Sequence, residues 1–183
     1  MTVSRDPRPP HNLDLVVDFV NTRDIDRDTD ELATPDRLAS WLRERRLATL
    51  DTRIGTAELT QAVGLREALR VVLQTHNGSS SDGGVQALEE VAERGGLSVC
   101  FAGNGTVRLA PRTGGFAGAL AHLLVPIAQS VGDGSWERVK ACAADNCQWA
   151  FYDRSRNRSA RWCDMAVCGN RTKVRAYRSK RRA

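Results

Sequence analysis

Four cysteines near one end of the chain constrain its fold more than any other feature. Four residues separate Cys142 from Cys147, another four separate Cys163 from Cys168, and fifteen lie between the pairs. Two close pairs joined by a segment long enough for a hairpin let four sulfurs converge on one point. Zn2+ accepts four thiolates tetrahedrally at about 2.3 Å, without a redox change. The same cysteines could form two disulfides or hold an iron–sulfur cluster. Against disulfides stands the segment Met1 to Pro10, which lacks the apolar core of an export signal and makes a reducing, cytoplasmic setting the expectation. Against a cluster, nothing else in the chain suggests electron transfer. The expectation is a structural zinc site, closed by four protein ligands and holding no activated water.

Charge divides the chain in the same region. The 183 residues sum to +5, but residues 142–183 carry 11 Lys or Arg against three Asp, or +8, which leaves −3 for residues 1–141. Four thiolates around Zn2+ have a formal charge of −2, so this tail remains near +6 with the metal bound and attracts polyanions. An acidic body joined to a basic tail implies two tasks.

The body, residues 1–134, reads as mainly helical. Leu13, Val16, Val17 and Val20 lie at helical spacing, although the β-branched content of Leu13 to Asn21 also suits a strand. Thr34, Pro35 and Asp36 make a cap, a first-turn proline and an acid at the positive helix end, which predicts a helix over residues 35–46. Thr56 should cap a second helix reaching Thr75. A third should begin near Val85 and stop at Gly95-Gly96. Residues 97–101 and 106–109 alternate around Asn104-Gly105 and predict a β-hairpin.

Residues 113–132 bear no formal charge, but their glycines, Pro126, His122 and Gln129 make them a buried helix over 114–131 rather than a membrane span. Cys100 and His122 could pair as nucleophile and base, but a lone Cys in an apolar strand and a lone His on a core helix read as packing residues. Asp14, Asp18, Asp24, Asp26, Asp28 and Asp30 do not follow a calcium-loop pattern and read as a solvated surface.

In the tail, residues 135–183, Gln148 to Asp153 predict a strand and Ser159 to Trp162 its return. So short a unit has little core of its own, so Trp149, Phe151, Tyr152 and Trp162 should pack around the metal, whose binding supplies folding energy. Beyond Cys168, at about 100° per residue, Arg171, Arg175, Arg178 and Arg182 share a stripe about 60° wide, with Val174 and Tyr177 along its edge. A basic helix braced by a metal site suits nucleic acid, because the guanidinium fork matches phosphate and guanine edges. Composition alone does not choose between DNA and RNA.

Cys142-x4-Cys147-Gln148-Trp149, Ser155-Arg156-Asn157, Arg161-Trp162-Cys163-Asp164-Met165-Ala166 and Cys168-Gly169-Asn170-Arg171 resemble the CGNR zinc finger. Leu15 to Thr22 and the Thr34-Pro35 helix resemble the ABATE domain that precedes this finger in bacterial stress-induced transcription regulators. The resemblance implies a DNA-binding finger fused to a ligand-sensing domain, with Zn2+ on the four cysteines. It transfers no ligand site, and Asn21, Arg23 and His122 are candidates only as polar groups near apolar segments.

The fold expected is a mainly α body with one small hairpin, followed by a treble-clef-like or ribbon-like four-cysteine finger ending in a basic helix. The function expected is zinc-dependent, DNA-binding transcriptional regulation, with duplex DNA and a small-molecule effector as partners, no membrane association, and a homodimer to add a second half-site. Arg171, Lys173, Arg175, Arg178 and Arg182 of the basic helix, with Arg154, Arg156 and Arg158 of the preceding turn, are the expected DNA contacts. An RNA-binding module would instead expose Trp149, Tyr152 or Trp162 for stacking. An enzyme would need an open polar pocket in the body with a shifted titratable group, and only apolar packing around His122 and Cys100 would end that reading.

Overall fold

The computed structural model describes residues 9–80 and 83–181. Leu13–Val20 resolves as helix α1, because Leu13, Val16, Phe19 and Val20 all reach the core from one helical face. A small ribbon follows, β1 (Arg23–Asp24) paired with β2 (Thr29–Asp30). Helix α2 (Pro35–Glu44) begins as expected, with the Thr34 hydroxyl accepting from the Arg37 N–H at 3.3 Å. Helix α3 (Thr56–Thr75) is the central strut. Its cap differs from expectation: the Glu58 carboxylate reaches back to the Gly55 N–H at 2.8 Å, placing Thr56 inside the first turn.

Helix α4 (Val85–Gly95) ends at Gly96, whose φ of 62° is left-handed, and leads into β3 (Leu97–Phe101) and β4 (Val107–Pro111). These strands form the expected hairpin, with Val99 opposite Leu109. The uncharged segment is two helices, α5 (Gly115–His122) and α6 (Val125–Ser130), rather than one. Pro126 has no N–H to offer the fourth carbonyl before it and its ring crowds that turn. The chain tightens through Leu123 and Leu124, whose N–H groups bond the carbonyls of Leu120 and Ala121, three residues back. Among the described residues no helix is long and apolar enough to cross a membrane.

After a 3-10 turn at Trp136–Arg138, β5 (Val139–Ala141) pairs antiparallel with β6 (Ala150–Tyr152). The expected return strand, Ser159 to Trp162, is therefore not the partner of β6. It crosses beside the hairpin instead, held by the Ala143 N–H on the Arg161 carbonyl at 2.9 Å. A π-turn at Met165–Gly169 runs into α7 (Asn170–Lys180), so the last cysteine sits at the start of the basic helix, as in a treble clef.

The hydrophobic core does not stop at residue 134. Leu13, Phe19, Leu38, Leu65, Leu69, Leu73, Leu120 and Leu123 share one cluster with Trp136, Val139, Ala141 and Ala150. The β5–β6 hairpin thus completes the core of the body. Only the end nearest the cysteines has a small cluster of its own.

Candidate metal centre and nucleic-acid interface

The cysteines are presented by two tight turns. At the first, the Cys142 N–H bonds the Trp149 carbonyl at 2.9 Å, one step beyond the last strand pair, while the N–H groups of Cys147 and Gln148 share the Ala144 carbonyl at 2.8 and 3.1 Å. Closing this turn puts Gln148 at a left-handed φ of 51°. At the second, the Asp164 carboxylate accepts from the Val167 N–H at 2.9 Å, and its carbonyl accepts from Cys168 and Gly169 at 2.9 and 3.2 Å. The wide turn brings Cys168 beside Cys163. Trp149, Phe151 and Trp162 pack around this centre as expected, whereas Tyr152 packs against the core of the body.

All four sulfurs lie within 4.8 Å of one another. Cys147 to Cys163 is 3.6 Å and Cys163 to Cys168 is 3.8 Å. A tetrahedron with metal–sulfur bonds of about 2.3 Å has edges of about 3.8 Å, whereas a disulfide brings its sulfurs to about 2.05 Å. The geometry fits a four-thiolate metal site, and the cofactor is Zn2+. Mutual contact alone cannot ionise all four thiols. Hydrogen bonds from Cys147 and then Cys163 hold the Cys142 thiol far below its usual range, the bond to Cys142 pushes Cys147 up to about 12, and the bonds to Cys142 and then Cys147 push Cys163 up as well. A divalent cation at the centre removes that repulsion and lets all four act as ligands. With four protein donors it leaves no open position for water.

The expected nucleic-acid residues fall into two groups on different elements. Arg171, Lys173, Arg175 and Arg178 are exposed along α7, and Arg182 lies outside the described residues. Arg154, Arg156 and Arg158 follow β6 at the end of the hairpin away from the cysteine turn. There the Arg154 guanidinium lies 5.4 Å from the Tyr152 ring, and the Arg158 guanidinium borders Gly134.

Arg171 has a partner that the sequence reading missed. Its guanidinium meets Asp26, in the β1–β2 loop, with Nη1 2.9 and 3.1 Å from the two carboxylate oxygens and Nη2 3.1 Å from one of them. Asn146 donates to the same carboxylate at 3.2 Å. The Arg171 bond is the leading cause holding the Asp26 carboxyl below its usual range.

Other polar residues join the finger to the body or brace the finger itself. Arg70, buried on α3, donates to the Gln148 carbonyl at 2.9 Å and the Val20 carbonyl at 2.8 Å. Asn21 pairs with both backbone groups of Ala150, donating at 2.9 Å and accepting at 2.7 Å, so it extends the open edge of β6 like a further strand. His76 meets the Val139 carbonyl at 2.7 Å, and Asn77 donates to the carbonyls of Ala141 and Arg161 at 2.8 and 2.7 Å. Buried Lys140 donates to Asp153 at 2.7 Å and to the carbonyls of Arg158 and Ala160 at 2.6 and 3.2 Å. The signal for Arg70, and for buried Arg66, was their place on the apolar stripe of α3 between Ala62 and Leu73.

The three ligand candidates do not converge on a pocket. Asn21 is committed to Ala150, Arg23 pairs with Asp28 at 2.5 Å, and His122 is exposed near the end of α5, its pKa lowered by partial burial and then by Arg108. Cys100 turns toward the Ser98 carbonyl at 3.7 Å.

Comparison with known proteins agrees with this architecture. The CGNR zinc finger family matches residues 138–181. The ABATE family, described as "Putative stress-induced transcription regulator", matches residues 13–133. No curated protein matches the chain. An ABATE match over most of the chain, followed by a CGNR match that spans all four clustered cysteines, assigns it: the chain belongs to the ABATE family and ends in a CGNR zinc finger.

Proposed function

We propose that the chain is a zinc-dependent, DNA-binding transcriptional regulator of the cytoplasm, in which α7 meets the duplex and the helical body senses an effector. The observation that carries this reading is the charge on α7. Its charged residues from Asn170 to Lys180 are all Arg or Lys, and its first turn holds no acid. Cations there oppose the helix dipole, and like charges four apart, such as Arg171 and Arg175, weaken an isolated helix. These charges work against the helix that bears them and suit an external anion. Zinc holds the first turn in place through Cys168, so the helix is presented rigidly.

Packing argues against base stacking by Trp149 and Trp162, two of the residues an RNA-binding module would expose. Trp149, Phe151 and Trp162 surround the metal centre, leaving them committed to the finger rather than to base stacking. Arg171, Lys173, Arg175 and Arg178 are the proposed contacts, with Arg171 nearest the helix end that enters a groove. Arg154, Arg156 and Arg158 serve only if the duplex also reaches the far end of the β5–β6 hairpin. One finger reads few bases, so a second copy on a neighbouring half-site would complete the specificity.

The test is a salt titration of duplex binding with zinc-loaded protein. Arg175→Ala and Arg178→Ala should each reduce the slope of log affinity against log salt by about one. Slopes equal to that of the parent for both variants would end the reading.

A further inference from the structure

We propose that the β1–β2 loop is an internal stand-in for the nucleic-acid backbone: Asp26 occupies the guanidinium fork of Arg171, and a duplex must displace it to bind. This rests on α7 being the nucleic-acid helix. The contact uses both terminal nitrogens of Arg171, Nη1 with both carboxylate oxygens and Nη2 with one. Those nitrogens form the end-on fork that would grip two phosphate oxygens or the O6 and N7 edge of guanine. An acid that merely steadied the arginine for reading would take Nε and one terminal nitrogen, leaving the fork open. Asp26 takes the fork itself.

The loop is aimed from the body. At its base Arg66, buried on α3, grips Asp30 with two bonds of 2.7 and 2.9 Å, and the Glu31 N–H bonds the Thr22 carbonyl at 2.7 Å. Arg70, one turn along α3, holds the carbonyls of Val20 and Arg23 at 2.8 and 3.5 Å and reaches the Gln148 carbonyl of the cysteine turn. Asp26 sits at the tip, between β1 and β2, where Asn146 of the cysteine turn also donates to it. Arg66 and Arg70 of α3 therefore hold the loop base and the cysteine turn in one frame, which fixes the carboxylate opposite the fork.

The latch is built to open. Arg171 is 47% exposed and Asp26 39%, so water and salt compete for the pair and its hold is modest. A DNA backbone presents many phosphates to α7 as a whole, whereas the loop offers Arg171 one carboxylate. The loop therefore sets a threshold for binding and does not abolish it.

The experiment measures duplex affinity of the zinc-loaded full chain by fluorescence anisotropy at about 50 mM salt, where phosphate contacts are strong. The proteins are the parent, Asp26→Asn, Asp28→Asn, Arg171→Ala and the double variant Asp26→Asn with Arg171→Ala. Asp28 is on the same loop, 87% exposed and paired with Arg23, so its variant removes the same charge without touching the fork. Asp26→Asn should bind about two- to five-fold more tightly than the parent and clearly more tightly than Asp28→Asn. Arg171→Ala should bind more weakly, and adding Asp26→Asn to it should bring no more than the Asp28→Asn effect.

Equal affinities for Asp26→Asn and Asp28→Asn would reduce the effect to loop charge and overturn the latch, as would weaker binding by Asp26→Asn, which would make the acid a positioning residue. Duplex binding indifferent to Arg171→Ala would overturn the latch while leaving DNA binding intact. Absence of duplex binding by every zinc-loaded protein would overturn both.

Discussion

A chain ending at Gly134 retains every helix of the body yet should not fold as the body does. The truncation removes Trp136, Val139, Ala141 and Ala150, all buried and all part of the main cluster. At about 1.5–3 kcal/mol per large apolar side chain fully buried, Trp136 and Val139 alone contribute about 3–6 kcal/mol. Losing the finger also strips partners from Asn21, Arg70, His76 and Asn77. At about 0.5–1.5 kcal/mol for each net hydrogen bond, these add about 2–6 kcal/mol. The combined loss, about 5–12 kcal/mol, matches the entire stability of a typical domain, about 5–15 kcal/mol. The assay compares thermal unfolding of the full and truncated chains by near- and far-ultraviolet circular dichroism. The truncated chain should keep part of its helical signal, lose its near-ultraviolet signal and melt without a sharp transition. A cooperative transition within a few degrees of the full chain would refute the shared core.

Three further outcomes follow from the same contacts. Elemental analysis should find one zinc per chain in protein purified without added metal, and Cys163→Ser, which removes the sulfur 3.6 and 3.8 Å from two others, should abolish it. Lys140→Met should cost about 3–5 kcal/mol in urea unfolding, because it leaves the Asp153 carboxylate buried without its cation; pairing it with Asp153→Leu should recover part of that loss. The Asp30 carboxyl is held below its usual value because the bonds from Arg66 and the Leu32 N–H outweigh its burial. Its contribution is therefore present above the unfolded pKa, about 3.9, and is lost as pH falls through the lower folded value, so urea unfolding of Asp30→Asn should show a shallower loss of stability below about pH 4 than the parent.

What was legible in the sequence depended on local chemistry. The cysteine spacing located the metal site, because two short loops and a hairpin fix where the sulfurs can meet, and Thr34-Pro35-Asp36 located α2. The uncharged segment has the apolar content of one helix, but the missing N–H of Pro126 divides it into α5 and α6. The partner of β6 was misread because β5 is only three residues long and precedes the first cysteine, so its pairing is recorded in no periodicity. The links between finger and body were hidden for another reason. Asn21 and Ala150, or Asp26 and Arg171, lie far apart in the chain and meet only when both parts are folded, and a row of aspartates reads as solvated until its arginine arrives from elsewhere.

Those links bear on how a finger without much core can answer to a body. Zinc fixes the order of the cysteine turns, and the finger's seating on the body combines the apolar contacts of Trp136, Val139, Ala141 and Ala150 with polar bonds from Asn21, Arg70, His76 and Asn77 to backbone carbonyls. Such bonds are directional and short in reach, so a displacement on the order of an ångström in α3 breaks or remakes them. Arg70 concentrates this effect, because one guanidinium holds the carbonyl that ends α1, the base of the acidic loop and the turn between the first two cysteines. A shift of α3 would be felt at all three points through Arg70, alongside the apolar contacts of Val139 and Ala141 with the core.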